Sequence, residues 1–550
     1  MTSTPEETTP SGSRINPRVF VPAALLVTVF VGVAIAAPTW LNALLAAANT
    51  TVIQSIGWYY ALVVVGFLVF AAVLAFGPYG NITLGSDDDE PSYRLGTWFA
   101  MLFAAGMGIG LVFWGVAEPL NHLASPPPGS RAGTPEAAAQ EAMNTTFLHW
   151  GLSAWGIYVV IGLAMAYAIH RRGRSVSVRW VLEPLLGDRV KGWIGDLIDI
   201  AAVVGTVFGV ATSLGLGATQ LSAGMEYLGL VDASTLLLVG LVIAITALAT
   251  ISVASGLDVG IKWLSTGNMV LAGALMVAVW LLGHPGFVMR EFVQGLGEYV
   301  ANFVHLSFRT MPFQGEQGLS WMSDWTTNYW GWWISWSPFV GIFIARISRG
   351  RTVREFIVGV LAVPTLVTFL WFSVMGGTAL YQQLYGPGDL IATDGTVATS
   401  QALFQVLEHL PGGPILSGLF LLLLVVFFVT SADSASFVVG MVASGGSQTP
   451  PLRGRLFWAV GTGAIAAALL WGGAASGDLT AGLGALQTMS ILAAAPFSVI
   501  LVASCAATGR ALHREHRREA RAQRALLRRE LRKELKAEVR TQVEAAVSDD

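Results

Sequence analysis

The chain of 550 residues is 54% hydrophobic and only 12% charged, and its mean hydropathy is +0.62. These values exclude a string of soluble domains and predict a membrane protein. The net charge of -3 excludes the broadly basic surface of a nucleic-acid-binding protein. The single cysteine, Cys505, excludes an internal disulfide framework and a cysteine-rich metal site.

The N-terminal region changes character after residue 18. Residues 1–18 are rich in Thr, Ser, Pro and Glu and hold too little apolar surface to become ordered, so we expect a disordered tail. The apolar run over residues 20–37 also fits a secretory leader with an Ala-x-Ala cleavage site at 34–36. Its length exceeds that of a usual leader and favours a first membrane span.

Apolar windows of about 20 residues, long enough to cross a bilayer, recur along the chain. They predict twelve spans, near residues 19–40, 54–77, 95–117, 145–170, 193–225, 233–254, 264–283, 325–348, 355–378, 413–443, 456–475 and 483–508. Charges are interleaved with apolar residues over 287–308, which predicts an amphipathic helix at the membrane surface instead. The predicted fold class is an all-α integral membrane protein with twelve transmembrane helices.

The distribution of Lys and Arg over the connecting segments orients these spans, because cytoplasmic loops retain an excess of basic residues. Counted over alternate segments, 28 of the 31 Lys and Arg lie on one side, and the other side holds only Arg131, Arg290 and Arg309. We therefore expect a multi-pass protein of the plasma membrane with both termini in the cytoplasm.

The segment after Gly509 carries 12 Lys and Arg against 8 Asp and Glu. Apolar residues recur there every four positions from Leu527 to Val547, which predicts a long charged helix. Two interpretations stay open. The helix is either a solvated helix or coiled-coil segment, or a partner of anionic membrane lipids that senses ionic strength through its basic residues.

Three glycines in five residues interrupt the third span, within the sequence AAGMGIG from Ala104 to Gly110. Glycine weakens a helix, so two interpretations arise. One is close packing of small residues against a neighbouring helix. The other is an unwound segment that lines a cavity and offers backbone carbonyls to a cation. The segment lies at membrane depth with no preceding strand, so it is not a nucleotide-binding glycine loop.

Tryptophans crowd the eighth span, at Trp321, Trp325, Trp330, Trp332, Trp333 and Trp336. The first two fit an interfacial aromatic belt. The later ones lie deeper, next to Pro338, which lacks a backbone N–H and predicts a second helix interruption. Aromatic rings at membrane depth suit a quaternary ammonium group, because that cation has no N–H to donate and binds to ring faces.

The fourth span carries a matching aromatic set, Trp150, Trp155 and Tyr158. Residues 155 and 158 share a helical face, whereas residue 150 points elsewhere on an unbroken helix. A kink or a wide groove is needed for all three to converge. Ordinary core packing is the alternative explanation. Of the histidines, only His149 and His170 lie in or at the edge of a span, and we expect neither to have a catalytic partner, so an enzyme is not predicted.

Polar residues appear together in the tenth span, over 427–436. The hydroxyls of Thr430 and Ser431 either bond to their own helix or, with unwound carbonyls, form a hard-oxygen site for an alkali or alkaline-earth cation. Asp433 is an ionisable residue inside a span, which is a functional-site hypothesis, although it fits a helix cap or brace equally well.

These segments resemble the betaine/carnitine/choline transporter family, through residues 104–119 (AAGMGIGLVFWGVAEP), residues 325–356 and the TSADSAS of the tenth span. The resemblance implies a leucine-transporter-like fold with two inverted five-helix repeats after two extra helices. The implied organisation is a tail (1–18), two extra helices (19–92), a first repeat (93–283), an amphipathic helix and loop (284–324), a second repeat (325–508) and a charged cytoplasmic helix (509–550). A homotrimer is also implied.

The resemblance also assigns roles to residues. Trp150, Trp155, Tyr158 and Trp333 look like a box around a trimethylammonium group, with Trp332, Trp336 and Phe339 along the pathway and with Met107, Gly108 and Gly110 beside the substrate. The main sodium site looks like the carbonyls of Ala104, Met107 and Phe427 with the hydroxyls of Thr430 and Ser431.

A second sodium site is implied at Thr206 and Phe339. It is in doubt because Val210 stands where sodium-coupled relatives have a second threonine, unless Thr212 or Ser213 replaces it. Choline members resemble GMGID, whereas this chain has Gly110. The expected function is therefore sodium-coupled import of glycine betaine or a similar zwitterion for osmoprotection. The alternatives are a choline or carnitine transporter, proton-coupled or exchanging, and a channel.

Overall fold

The structure, a computed structural model, describes residues 14–106, 108–255, 258–474 and 481–548, and the regular structure of these residues is helical. The helices are α1 Pro17–Ala36, α2 Pro38–Phe76, α3 Leu95–Gly106, α4 Ile109–Ala124, α5 Pro135–Trp150, α6 Leu152–Ala166, α7 Glu183–Leu186, α8 Trp193–Tyr227, α9 Thr235–Ser255, α10 Asp258–Leu282, α11 Pro285–Ser307, α12 Gly315–Met322, α13 Asn328–Ile347, α14 Val353–Tyr385, α15 Ala402–Glu408, α16 Gly413–Ala443, α17 Leu452–Ala474 and α18 Ala481–Ser548. Most of the predicted disordered tail, residues 1–13, lies outside the described residues.

Among the described residues, ten helical stretches are long and apolar enough to cross a membrane. They correspond to ten of the twelve predicted spans. The other two predicted spans, the third and the eighth, coincide with α3 and α4 together and with α13. The segment predicted as an amphipathic helix is α11, and it is not among the ten.

Two helices extend beyond the predicted spans because polar residues do not end them. α2 begins at Pro38, not near residue 54, and the hydroxyls of Thr50 and Thr51 donate to the carbonyls of Ala46 and Ala47 one turn earlier. Hydroxyls satisfied in this way let a helix continue through a polar stretch. α18 likewise runs past residue 508 into the charged segment without a break.

The N-terminal apolar run is a packed helix of the fold. α1 begins at Pro17, and the side chain of Asn16 accepts a hydrogen bond from the N–H of Arg18 as an N-cap. The ring of Phe20 lies against Phe457 and Trp458 of α17, with ring centroids 5.2 and 5.3 Å apart. This packing fits a membrane span better than a leader.

The loops that carry most of the basic residues meet at one end of the molecule. Arg171, after α6, pairs with Asp87 of the α2–α3 segment at 2.5 Å and with Glu515 of α18 at 2.8 Å. Arg349, after α13, pairs with Asp89 at 3.0 Å, and this hydrogen bond lowers the pKa of the Asp89 carboxyl. Segments that the Lys and Arg count assigned to one side are therefore neighbours.

Candidate functional site

The predicted interruption of the third span is present. α3 ends at Gly106, α4 begins at Ile109, and Gly108 between them has extended backbone angles. Met107 lies outside the described residues, so its predicted contacts are not described. The break leaves the first N–H groups of α4 without partners in the preceding helix, and α4 itself is buried along most of its length.

The fourth span is broken at Gly151, which separates Trp150 at the end of α5 from Trp155 and Tyr158 on α6. This break is the kink that the sequence required. A Cβ atom at residue 151 would lie 2.5 Å from the Phe147 carbonyl oxygen and 2.7 Å from the Phe369 ring. Only glycine fits this close approach, and the three aromatic side chains can then converge.

The predicted interruption at Pro338 is wrong, because α13 is continuous from Asn328 to Ile347. Proline removes the N–H that would bond to the carbonyl of residue 334. The Ser337 hydroxyl donates to that Ile334 carbonyl at 2.7 Å instead. A side chain that satisfies the freed carbonyl keeps a proline-containing helix intact.

The aromatic side chains predicted in the fourth and eighth spans form one cluster, which we call the aromatic box. Its core distances between ring centroids are 4.9 Å for Trp150–Trp333, 5.4 Å for Trp155–Tyr158 and 6.4 Å for Tyr158–Trp333. Trp332 stacks on Trp333 at 4.6 Å. The cavity of the box is lined by Gly108, Gly110, Leu111, Trp150, Ala154, Trp155, Tyr158, Trp332, Trp333, Trp336, Val340 and Thr368.

The stack continues from the box toward α16. Trp336 lies parallel to Trp332 at 6.1 Å, and Phe339 lies parallel to Trp336 at 6.0 Å. Every predicted substrate-site residue that the structure describes therefore lines the box or stacks on a residue that does. Leu111, Ala154, Val340 and Thr368 are lining residues that sequence reasoning missed, because apolar and small residues carry no signal in a membrane span.

A buried acid anchors the box, and sequence reasoning missed its role. Glu118 of α4 accepts a 2.6 Å hydrogen bond from the Trp150 indole, and His149 Nδ1 lies 2.7 Å from its other carboxylate oxygen. His122 lies 3.4 Å from the same carboxylate, and all three charged or titratable residues are fully buried. Sequence reasoning expected no catalytic partner for His149, and the structure gives it Glu118 as a hydrogen-bonding partner. Glu118 lies one residue beyond the predicted third span, 95–117, so it was not recognised as an acid inside the membrane region.

A second cavity, which we call the hydroxyl cavity, lies beside the box. It is lined by Ser265, Asn268, Met269, Trp336, Phe339, Val340, Phe343, Phe427, Thr430, Ser431 and Ser434. Trp336 and Val340 line both cavities and therefore separate them. The Thr430 hydroxyl donates to the Val426 carbonyl at 2.8 Å, as a helix hydroxyl commonly does. Ala104, the remaining predicted ligand, belongs to α3.

The residues predicted for a second sodium site lie on α8 and α13. Thr206 and Val210 are both buried in α8. The proposed substitutes are engaged in packing, because the Thr212 hydroxyl lies 2.9 Å from the Leu486 carbonyl and 2.8 Å from the Ser490 hydroxyl. Ser213 bonds to its own helix at the Gly209 carbonyl.

Two further expectations have clear outcomes. Asp433 forms an ion pair with Arg455 of α17 at 3.8 Å, so it braces a neighbouring helix.

Trp321 and Trp325 do not form an exposed interfacial belt. Trp321 is only 7% exposed, and the ring of Trp325 packs 4.3 Å from that of His122. Both rings pack against His122, whose imidazole adjoins the buried acid Glu118.

The structure combines many helices long enough to cross a membrane with helix breaks at Gly108 and Gly151 beside an aromatic cavity. This combination is typical of a helical membrane transporter. Residues 18–517 match the betaine/carnitine/choline family of transporters, and the chain belongs to this family. It is a multi-pass protein of the plasma membrane and a transporter, not an enzyme.

Several curated relatives cover most of this chain. The glycine betaine transporter OpuD of Bacillus subtilis is 47% identical over 471 residues, which are 86% of this chain and 89% of that protein. An uncharacterized transporter of Mycobacterium tuberculosis is 48% identical over 91% of this chain and 83% of its own length. A glycine betaine/proline/choline transporter of Vibrio parahaemolyticus is 38% identical over 92% of each chain.

Proposed function

We propose that this transporter imports glycine betaine, or a similar trimethylammonium zwitterion, together with sodium. The aromatic box carries the proposal. A quaternary ammonium group cannot donate a hydrogen bond and is bound by ring faces within about 6 Å. Four aromatic side chains from three helices surround one buried cavity here, which suits such a cation. The names of the relatives, glycine betaine transporters among them, agree with this substrate.

The carboxylate end of a zwitterion needs donors, and the cavity offers two kinds. The first turn of α4, after Gly108, presents backbone N–H groups and the positive end of the helix dipole. The indole N–H groups of Trp332 and Trp336 are buried and have no hydrogen-bond partner among the described residues. Because an unpaired buried donor is unfavourable, these two groups favour an anionic ligand beside the box.

Sodium coupling rests on the hydroxyl cavity. The Thr430 and Ser431 hydroxyls, with the carbonyls of Phe427, Ala104 and Met107, would supply only oxygen ligands. This cavity adjoins the box at Trp336, so an ion there would affect the substrate through a shared wall. The second site at Thr206 and Phe339 lacks a second hydroxyl at Val210, and we therefore propose one well-formed sodium site.

The topology we propose has twelve spans, two inverted repeats and cytoplasmic termini. The ten apolar helical stretches account for ten of the twelve spans, and the interrupted α3–α4 pair and α13 are the other two. The contacts among the basic loops at one end support their common side. On that side the basic residues of α18 would bind anionic lipids and sense ionic strength, which would link transport to osmoprotection. The proposed assembly is a homotrimer.

Choline or carnitine transport is the alternative within the family, and an uncoupled channel is the alternative outside it. Choline lacks a carboxylate and needs a counter-charge, which Gly110 does not supply. The box is enclosed by stacked rings, which does not suit a continuous water-filled pore. Proton coupling or exchange would leave Thr430 and Ser431 without a role as ligands.

Uptake of labelled glycine betaine into proteoliposomes tests the proposal. We expect accumulation against a gradient when sodium is higher outside, and none when potassium replaces sodium at the same pH. Accumulation driven by a proton gradient without sodium would contradict sodium coupling. Downhill flux that never exceeds equilibrium would favour a channel, and preferential uptake of choline would contradict the substrate assignment.

A further inference from the structure

Two hydrogen-bond donors and two imidazole nitrogens converge on the carboxylate of Glu118. One oxygen, Oε2, accepts from the Trp150 indole at 2.6 Å and from the Tyr329 hydroxyl. The other, Oε1, lies 2.7 Å from His149 Nδ1 and 3.4 Å from His122 Nε2. A carboxylate can accept hydrogen bonds from all four groups, whereas an amide would turn a donor of its own toward one of the two pairs.

The anchored residues are members of the aromatic box or adjoin it directly. Trp150 lines the cavity, and its N–H has Glu118 as its partner. The backbone carbonyl of His149 accepts the indole N–H of Trp333 at 2.9 Å. Glu118 therefore orients one box ring directly and a second ring through one intermediate residue.

The backbone alone does not fix these rings. Residues 149 and 150 form the last turn of α5, and Gly151 ends that helix. The carbonyls of a last turn have no partner within their own helix, which leaves side chains to hold the geometry there. On the other side of the imidazole, the Thr326 hydroxyl lies 3.0 Å from His149 Nε2. The network thus braces the box at the point where the helix stops.

We propose that Glu118 is a positioning residue for substrate binding, which holds the Trp150 and Trp333 rings at the spacing that a trimethylammonium group requires. This inference rests on the proposed function. A hydrogen bond to a charged acceptor is stronger than one to a neutral acceptor, so an ionised carboxylate would hold the rings more firmly than a protonated one. The carboxylate acts through the rings and does not itself line the cavity.

Equilibrium binding of labelled glycine betaine to the purified full-length transporter in detergent tests this role. The parent must bind betaine, and failure at this step would count against the proposed function alone. Glu118→Gln keeps the shape of the side chain but replaces one acceptor oxygen by an NH2 donor. We expect about tenfold weaker betaine binding, the loss typical of one charge-assisted hydrogen bond. Glu291→Gln is the matched control, because Glu291 is a buried carboxylate on α11 that lies outside the box. It should bind betaine as the parent does.

A double-mutant cycle separates positioning from a general loss of structure. Trp150→Phe keeps a ring in the box but removes the N–H that Glu118 holds, so the double variant should lose clearly less affinity than the product of the two single losses. Trp98→Phe removes an equally buried indole N–H, which donates to Ser348 at 3.0 Å far from the box along α3. In the double variant with Glu118→Gln, the loss of betaine affinity should equal the product of the two single losses.

Two results would overturn the inference. The first is parental betaine affinity in a Glu118→Gln variant with normal elution and thermal unfolding. The second is a simple product in the cycle with Trp150→Phe. If Glu118→Gln does not fold, the cycle is made with Glu118→Asp, which keeps the charge and withdraws it by one methylene. Coupling to Trp150→Phe would then support the inference, and its absence would again overturn it.

Discussion

The aromatic box and the hydroxyl cavity share a wall at Trp336, yet they are built on different principles. In the box, indole groups from separate helices are tied to partners on other elements, as Trp150 is to Glu118 and Trp333 to the His149 carbonyl. In the hydroxyl cavity, Thr430 bonds to its own helix. The box is therefore held in shape by tertiary hydrogen bonds, whereas the Thr430 hydroxyl is held within its own helix and keeps its oxygen lone pairs for an ion.

This difference has a thermodynamic consequence. Groups held in place by tertiary contacts lose little conformational freedom when a ligand binds, so their interaction energy goes largely into affinity. A neutral hydroxyl supplies one modest ligand contact, and its loss costs less than the loss of a desolvated cation–π partner. Substitutions in the box should therefore have larger effects than those in the hydroxyl cavity.

The largest effect is expected for Trp333→Ala. The change removes a desolvated ring that contacts both Trp150 and Tyr158, and loss of one such cation–π partner costs on the order of 2 kcal/mol, or about 30-fold in affinity. Betaine titration of equally expressed protein checks this, with Trp98→Ala as the control for losing a buried tryptophan elsewhere. Parental affinity in Trp333→Ala would mean that the box is not the substrate site.

The next effect concerns the glycines at the helix break. A Cβ atom at Gly110 would lie 2.5 Å from the outer edge of the Trp332 ring, whereas a Cβ at Gly108 would lie 3.6 Å from Trp336. Forcing extra atoms into a packed site costs roughly 1–3 kcal/mol, so Gly110→Ala should weaken betaine binding by about tenfold. Gly108→Ala should change it much less, and equal losses would show that the tight packing at Gly110 is not what matters.

Gly110→Asp sharpens the choice of substrate. A carboxylate there would supply the counter-charge that choline lacks, so choline uptake should increase while betaine affinity falls through the same crowding of Trp332. Uptake of labelled choline and labelled betaine by one preparation gives the ratio of the two transport rates. A fall in betaine transport without a gain for choline would leave Gly110 with a packing role only.

A smaller effect is expected when Thr430 and Ser431 are both changed to Ala. Two oxygen ligands would be lost, and the sodium concentration for half-maximal betaine uptake should rise roughly fivefold, as expected for neutral hydroxyl contacts. Ser436→Ala is the matched control, because its hydroxyl donates to the Asp433 carbonyl of the same helix at 2.8 Å. An unchanged sodium dependence in the double variant would leave both hydroxyls as helix-bonding groups.

The smallest effect on transport is expected from shortening α18. Residues 521–540 are exposed along their length, so a chain ending at Ala520 should keep parental uptake at constant osmolality. A cut after Gly509, where the charged segment begins, also removes the fully buried Leu512 and the Glu515 partner of Arg171, and should lower the unfolding temperature. Equal unfolding temperatures for the two chains would contradict this packing.

The same two chains address regulation. If the exposed basic helix binds anionic lipid, the chain ending at Ala520 should lose activation by external osmolality in liposomes that contain anionic lipid. Identical activation curves for the full-length and shortened chains would remove the sensor role and leave the transport assignment unaffected.

Sequence reasoning succeeded where a residue type is rare at its location. Tryptophans inside a span and three glycines within five residues are unusual in a membrane helix. Both features pointed to the region where the structure places the aromatic box. It failed where a neighbouring side chain changes the outcome, as when the Ser337 hydroxyl compensates for Pro338. The role of Glu118 depends on Tyr329 and His149, which are distant in sequence, so no local pattern could assign it.

The central claim, that the box holds the trimethylammonium group, is tested most directly by the position of the bound substrate. An experimental structure with the arsenic analogue of betaine, in which a heavy atom replaces the quaternary nitrogen, would locate that group by its anomalous signal. We expect a single peak enclosed by Trp150, Trp155, Tyr158 and Trp333. A peak in the hydroxyl cavity, beside Thr430, with the box empty, would contradict the account.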